Sequence, residues 1–136
     1  MLELTEAIVD EAVALAYDAY PYECCGLLAG SAAADGNARV ERFYACRNAA
    51  RSARVYTVDP LDHLRAERDA EARGWLIVGV LHSHTHSEPY PSPTDIAQAP
   101  DPGWQYVIVG LKRESPDVRS YRIVDGVVTE VAIVVV

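Results

Sequence analysis

The sequence is poor in cysteine, and the few cysteines present do not form a recognisable framework. There are three, an odd number, and Cys24 and Cys25 are adjacent. A disulfide scaffold needs an even number at workable spacings, and a zinc knuckle needs CxxC pairs. Neither pattern is present, so we expect free thiols in a reducing compartment.

Basic residues and long apolar runs are also scarce. Twelve Lys and Arg stand against twenty Asp and Glu, which gives a formal net charge of −8. A surface that follows nucleic-acid phosphates needs clustered basic residues, and here they are scattered. No apolar run approaches the about 18–20 residues that span a bilayer. The acidic start, MLELTEAIVDEA, is unlike a signal peptide. We therefore expect a cytoplasmic protein that binds neither nucleic acid nor membrane.

What the sequence does contain is the pattern of an α/β protein. Its 136 residues, half of them hydrophobic, predict one domain over residues 1–136. Periodicity and capping residues predict three helices, at 4–19, 61–74 and within PSPTDIAQAP. They predict six strands, at 23–30, 40–49, 75–84, 105–111, 117–124 and 127–136. Asp125-Gly126 is typical of a hairpin turn. This order predicts a mixed sheet flanked by helices.

The segment LHSHTHSEPYPSPTD, residues 81–95, places metal-binding side chains after the most hydrophobic strand. Residues i and i+2 of a strand point to the same face, so His82 and His84 project together. Asp95, in the short helix that follows, is placed to supply a third ligand. Two histidines and one carboxylate leave an open position, which is typical of catalytic zinc. We expect His86 to lie in the loop and not to be a ligand, because prolines follow it.

This spacing resembles the HxHx(7)SxxD signature of the JAMM metallopeptidases, also called MPN+ domains. His82, His84, Ser92 and Asp95 occupy its four positions. Glu23, within PYECCGLLAG, matches the glutamate that the family carries upstream. The resemblance covers nearly the whole chain. HSHTHSEPYPSPTD and the tail YRIVDGVVTE are most similar to the actinobacterial CysO-cysteine peptidase branch, which processes ubiquitin-like sulfur carriers.

The resemblance implies a curved mixed β-sheet flanked by helices, like that of cytidine deaminases. It implies one zinc ion held by His82, His84 and Asp95. Glu23 would act as general base and then general acid, and Ser92 would donate a hydrogen bond to the oxyanion. The substrate implied is a ubiquitin-like sulfur carrier with a Gly-Gly C-terminus. Hydrolysis would cut the amide bond after that glycine, and in this branch the residue released is cysteine.

Other interpretations stay open at this point. The chain could be a non-catalytic MPN scaffold, or a JAMM peptidase with another ubiquitin-like substrate. A zinc deaminase is less favoured, because its HxE and PCxxC motifs are absent. Whether the chain forms a homodimer, and which carrier it cuts, are also open.

Several individual residues have simpler roles as alternatives. Ser92 is equally typical of a helix cap. We interpret Cys24 and Cys25 as packing residues, not redox residues. For Asn48 and Tyr56 we favour packing or surface roles over substrate contacts. Tyr90 is placed to cover the cleft that would receive the substrate.

Overall fold

The computed structural model describes residues 1–136 as helices and strands in mixed order. The helices are α1 (Glu6–Ala19), α2 (Pro60–Ala72) and α3 (Pro93–Ala97). The strands are β1 (Leu2–Leu4), β2 (Cys25–Ala32), β3 (Ala38–Cys46), β4 (Leu76–His84), β5 (Gln105–Gly110), β6 (Asp117–Val124), β7 (Val127–Val131) and β8 (Ile133–Val135). No helix has both the length and the apolar character needed to cross a membrane.

The helices begin and end at the signals expected from the sequence. The Thr5 side chain caps α1 by accepting a hydrogen bond from the backbone of Ile8. Asp59 caps α2 in the same way, with Pro60 as its first residue. Gly74 follows α2 with a φ of 78°, a left-handed conformation that glycine adopts without strain. The three predicted helices are therefore confirmed.

All eight strands form one sheet in the order β7-β6-β5-β4-β2-β3-β1-β8. The pairs β4–β5, β1–β3 and β1–β8 are parallel, and the other pairs are antiparallel. β7 and β8 lie at opposite ends of this order although only Ala132 separates them in the chain. The sheet must therefore curve until its two edges approach each other. The predicted curved, mixed α/β sheet is confirmed.

Two details of the predicted strands are wrong. β1 is missing from the predicted strands, because a segment of three residues is too short to show the alternation typical of a strand. Residues 127–136 were predicted as one strand, but they form β7 and β8. The apolar pattern runs through this segment without a break. The division at Ala132 follows from the curvature of the sheet, which lets the chain leave β6 and pair with β1 instead.

β4 lies at the centre of the sheet and presents different residues to its two faces. Leu81 packs with α1 in one core cluster, and Val80 packs with α2 in the other. His82 and His84 follow Val80 at intervals of two and so share its face. Gly79 lets β5 approach closely, since a Cβ there would meet the Gln105 carbonyl oxygen at 2.3 Å. The sheet thus delivers both imidazoles to one buried point between β4 and α3.

Candidate metal centre

The two histidines at the end of β4 converge as the sequence predicts. His82 and His84 are 1% and 3% exposed. Their Nε2 atoms lie 3.1 Å apart. The alternation of side chains along a strand is sufficient to bring them together, because both rings project from the same face.

Asp95 reaches the same point because α3 begins with a capping box. The Ser92 hydroxyl accepts a hydrogen bond from the Asp95 backbone at 3.1 Å. The Ser92 backbone N–H donates to Asp95 Oδ2 at 2.9 Å. This reciprocal pair fixes the carboxylate at the first turn of the helix. Asp95 Oδ2 then lies 3.1 Å from His82 Nε2 and 3.0 Å from His84 Nε2.

The hydrogen bonds of His84 show what this convergence needs. His84 Nδ1 lies 2.8 Å from the backbone carbonyl of Glu88, which can only accept, so Nδ1 carries the proton. In neutral His84 the Nε2 lone pair therefore points at the Asp95 carboxylate. Two such electron-rich atoms approach within 3.0 Å only if a proton or a cation lies with them.

A zinc ion fits this group. Zinc takes imidazole nitrogen and carboxylate oxygen at about 2.0–2.2 Å, distances that three atoms 3.0–3.1 Å apart can share. His82, His84 and Asp95 each offer one ligand atom. The backbone carbonyl that holds His84 is the kind of second partner that orients metal-binding histidines. In contrast, His82 Nδ1 is buried without a hydrogen-bond partner.

Electrostatics keep the ligand group in a form that favours a cation. Burial lowers the pKa of His82, so this ring stays neutral. Burial would raise the pKa of Asp95, but hydrogen bonds with His82 and His84 lower it overall. Burial acts to lower the pKa of His84, but hydrogen bonds with Asp95 and the Glu88 carbonyl raise it overall. In the absence of metal the site therefore favours a proton on His84, which a metal ion would displace.

Glu23 is brought to this centre by the pairing of β2 with β4. Cys25 lies opposite His82 in the ladder. The pairing continues one step further, because Ser83 accepts from the Cys24 backbone through its hydroxyl at 2.8 Å and donates its N–H to the Cys24 carbonyl at 3.2 Å. The next residue along, Glu23, is therefore level with His84.

The Glu23 carboxyl is buried, and one of its oxygens lacks a hydrogen-bond partner. The residue is 3% exposed, and its Oε1 atom has no hydrogen-bond partner. Burial raises the pKa of Glu23 to about 8. A carboxyl group with this pKa exchanges protons near neutral pH, as a general base and acid must.

Glu23 and the metal-binding group share a cleft, here called the Glu23 cleft. Its volume is about 470 Å³. The lining residues are Glu23, Ala53, Arg54, His84, His86, Ser87 and Ser92. The structure thus brings together all five predicted site residues. Glu23, His84 and Ser92 line the cleft, and His82 and Asp95 belong to the same metal-binding group as His84.

Ser92 is compatible with both roles considered for it. Its oxygen accepts from the Asp95 backbone as a helix cap. Its O–H proton remains free to donate, and the residue lines the Glu23 cleft. A serine hydroxyl can accept one hydrogen bond and donate another at the same time.

Asn48 was not predicted to support the site, yet it does. Its Nδ2 donates to the carbonyls of Glu23 and Val55, both at 3.1 Å. Its Oδ1 accepts from the backbones of Ala50 at 3.0 Å and Thr57 at 2.9 Å. One side chain therefore ties the loop before α2 to the backbone of the candidate base. An asparagine in a loop carries no sequence signal for such a long-range contact.

Tyr56 packs directly on a candidate ligand. Its ring stacks on His82 at 4.2 Å between centroids and 21° between planes. This agrees with the packing role favoured for it. Tyr56 also borders a second, more apolar pocket, which Asp95 lines as well. The walls of this pocket include Leu27, Val58, His63, Val80 and Trp104.

Four other residues singled out from the sequence lie outside the metal group. His86 is a loop residue, as expected, and its Nε2 lies 3.1 Å from the Tyr20 hydroxyl. The prediction for Tyr90 is wrong: its ring packs against Tyr121 at 5.5 Å, and it does not line the Glu23 cleft. Tyr90 instead lies beside β6, the strand that contains Tyr121. Cys24 and Cys25 are buried free thiols, which agrees with a packing role.

Comparison with known proteins agrees with this geometry. The model of the family Prok-JAB, prokaryotic homologs of the JAB domain, matches residues 5–124. The chain belongs to this family. The curved mixed sheet with its helices is the JAB/MPN fold. With the histidine–histidine–aspartate group present, this JAB protein is a peptidase of the JAMM type.

Its relatives include proteins with named activities. The CysO-cysteine peptidase of Mycobacterium tuberculosis is 40% identical over 131 residues, which cover 96% of this chain and 88% of the relative. The desampylase of Haloferax volcanii is 40% identical over 101 residues, covering 73% and 66%. The solution structure of DSY2949 from Desulfitobacterium hafniense superposes with a TM-score of 0.91 at 34% identity, covering 99% of this chain and 92% of that one.

Proposed function

We propose that the protein is a zinc peptidase that hydrolyses the amide bond after the C-terminal glycine of a ubiquitin-like sulfur carrier. The observation that carries this proposal is the convergence of His82, His84 and Asp95 within 3.1 Å of one another beside the buried carboxyl of Glu23. The similarity to a CysO-cysteine peptidase over 96% of the chain supports the substrate class.

His82, His84 and Asp95 would hold the zinc. Bound there, zinc supplies Lewis-acid chemistry, which polarises a carbonyl and lowers the pKa of water. The remaining steps belong to side chains of the protein. They must accept a proton, return it to the leaving group and stabilise the charge that develops between those events.

Glu23 performs the proton transfers. As a carboxylate it accepts a proton from the attacking water while the new C–O bond forms. As a carboxylic acid it donates that proton to the amide nitrogen while the C–N bond breaks. The carboxylate is then regenerated, and the products are a carrier carboxylate and a free amine. Such transfers contribute about 10²–10⁴-fold to rate.

Ser92 stabilises the negative oxygen of the tetrahedral intermediate. Its hydroxyl is oriented by the backbone of Asp95 and lines the cleft that contains Glu23. A donor that is fixed before the reaction stabilises the developing charge without reorganisation. The same helix cap that positions the third ligand thus also positions the oxyanion donor.

The cleft suits a glycine tail. Part of its wall consists of the small residues Ala53, Ser87 and Ser92. An extended Gly-Gly segment has no side chains to collide with these walls. The free thiols of the chain agree with action in a reducing compartment.

Incubation with candidate carriers tests the function. Zinc-loaded protein would be mixed with carriers that end in Gly-Gly followed by one further residue, and mass spectrometry would locate the cut. Cleavage directly after the second glycine is expected, with none by Glu23→Gln. No cleavage, or cleavage elsewhere, would contradict the proposal.

A different ubiquitin-like substrate is a second candidate. It is favoured by the desampylase, which is as identical to this chain as the CysO-cysteine peptidase, though over a shorter span. A ubiquitin-like protein joined to a lysine side chain would be included in the same assay. Faster release from lysine than from a single C-terminal residue would favour this candidate.

A further inference from the structure

We propose that the guanidinium of Arg54 binds the α-carboxylate of the residue that is released. The Glu23 cleft would then select substrates in which a single amino acid, and not a continuing chain, follows the glycine. This inference rests on the proposed function and specifies its leaving group.

Arg54 is an uncompensated cation at the candidate site. It lines the Glu23 cleft together with Glu23, His84 and Ser92. It forms no ion pair, although acidic residues outnumber basic ones in this chain. Arg47, in the same loop, is by contrast held by Asp62 at 3.3 Å. Arg54 therefore keeps its charge available to an anion in the cleft.

The backbone that carries Arg54 is held beside the candidate base. The Glu23 N–H donates to the Ser52 carbonyl at 2.8 Å. The Ser52 hydroxyl accepts from the backbones of Arg54 at 3.0 Å and Val55 at 3.3 Å. This serine turn fixes where the arginine side chain starts, so the flexible part is the side chain alone.

The Thr85–His86 segment, of which His86 lines the cleft, is tied to the same loop. The Thr85 hydroxyl donates to the Ala53 carbonyl at 3.4 Å. Its oxygen can then accept from His86 Nδ1 at 2.9 Å, which leaves His86 Nε2 to accept from the Tyr20 hydroxyl at 3.1 Å. Both nitrogens of His86 are engaged within the protein. Arg54 is the only arginine or lysine that lines the cleft, so it is the lining cation available to a carboxylate.

The chemistry of the leaving group matches this position. When one amino acid is joined to glycine through its α-amine, its carboxylate lies two bonds from the nitrogen that departs. A group that recognises this carboxylate must therefore lie near Glu23, which donates the proton to that nitrogen. Arginine is suited to carboxylates, since its planar fork can donate two parallel hydrogen bonds. A residue linked through a side-chain amine within a protein has no carboxylate at that distance.

Paired substrates test the role of Arg54. Carriers ending in Gly-Gly-Ala would be compared as the free acid and as the C-terminal amide; alanine avoids direct binding of a thiol to zinc. We expect wild-type kcat/KM to be about tenfold higher for the acid, as suits a charge-assisted contact. Arg54→Gln should remove this preference, mainly by raising KM for the acid, and leave the amide unchanged. Arg54→Lys should keep part of it.

Arg51→Gln is the matched control. Arg51 is an exposed arginine of the same loop that does not line the Glu23 cleft. Its substitution removes the same charge and should leave the preference intact. An equal loss on acid and amide in Arg54→Gln, or an unchanged ratio, would overturn the proposal. So would loss of the preference in Arg51→Gln.

A binding measurement separates this inference from the proposed function. Glu23→Gln would be titrated with Gly-Gly-Ala and with its amide, and binding followed by NMR chemical shifts. Tighter binding of the acid, lost on adding Arg54→Gln, would support the carboxylate site even if no carrier is cleaved. Equal binding of both peptides would overturn it even if carriers are cleaved.

Discussion

Replacement of Asn48 by alanine tests whether the loop before α2 holds the candidate base in place. The substitution removes four hydrogen bonds of 2.9–3.1 Å, one of them to the Glu23 carbonyl. It removes no group that contacts the metal centre directly. We therefore expect Asn48→Ala to separate base positioning from metal binding.

The expected magnitude follows from these contacts. A hydrogen bond contributes about 0.5–1.5 kcal/mol net, and water replaces part of it at a half-buried position. Four such bonds predict a loss of about 2–4 kcal/mol in the free energy of unfolding. A base displaced by about 1 Å costs on the order of 10²-fold in rate. We expect kcat to fall about 10–100-fold and the zinc content to stay unchanged.

Three measurements on one preparation check this expectation. Urea unfolding gives the stability, elemental analysis gives zinc per chain, and carrier cleavage followed by mass spectrometry gives kcat. Asn37→Ala is the control, because Asn37 also loses side-chain hydrogen bonds but lies in the turn at the far end of β2. Unchanged kcat in a destabilised Asn48→Ala would refute the positioning role. Loss of zinc would show that the loop supports the ligands instead.

Three further predictions concern the centre itself. Asp95→Ala should lose its zinc, as measured by elemental analysis, whereas the control His63→Ala, at the neighbouring pocket, should keep it. Zinc retained by Asp95→Ala would show that Asp95 is not a ligand. Ser92→Ala should keep zinc and lose about 10²–10³-fold in kcat, whereas Ser92→Thr should stay largely active. A fully active Ser92→Ala variant would show that Ser92 is only a helix cap. Glu23→Gln should raise the Tm of metal-free protein more at pH 8 than at pH 5. Burial raises the pKa of Glu23 from 4.5 to about 8, so the stability that its neutral form contributes is lost as pH rises through about 8. Glutamine cannot ionise and avoids this loss. An equal gain in Tm at both pH values would contradict this reasoning.

Sequence patterns predict the parts of this site that depend on local geometry. The spacing of His82 and His84 determines that they share a face of β4, whatever the rest of the chain does. The sequence Ser92-Pro-Thr-Asp95 contains a capping box, so the position of the third ligand follows from a single helix turn. The three metal-binding residues and Ser92 therefore all lie within fourteen residues, 82–95.

The rest depends on pairing between distant segments, which periodicity does not report. Glu23 lies level with His84 only because of the register between β2 and β4. The carbonyl of Glu88 orients His84, and a backbone carbonyl has no sequence signal at all. Asn48 and Arg54 gain their roles from a loop that folds back on Glu23. The division between β7 and β8 likewise reflects curvature of the whole sheet. Family resemblance predicted Glu23 where local reasoning did not.

Anomalous diffraction at the zinc edge from crystals of zinc-loaded Glu23→Gln would examine the metal centre directly. One peak per chain is expected, bonded to Nε2 of His82, Nε2 of His84 and the Asp95 carboxylate, with residue 23 facing it across the cleft. A peak bound to other residues, or no peak at this position, would contradict the account.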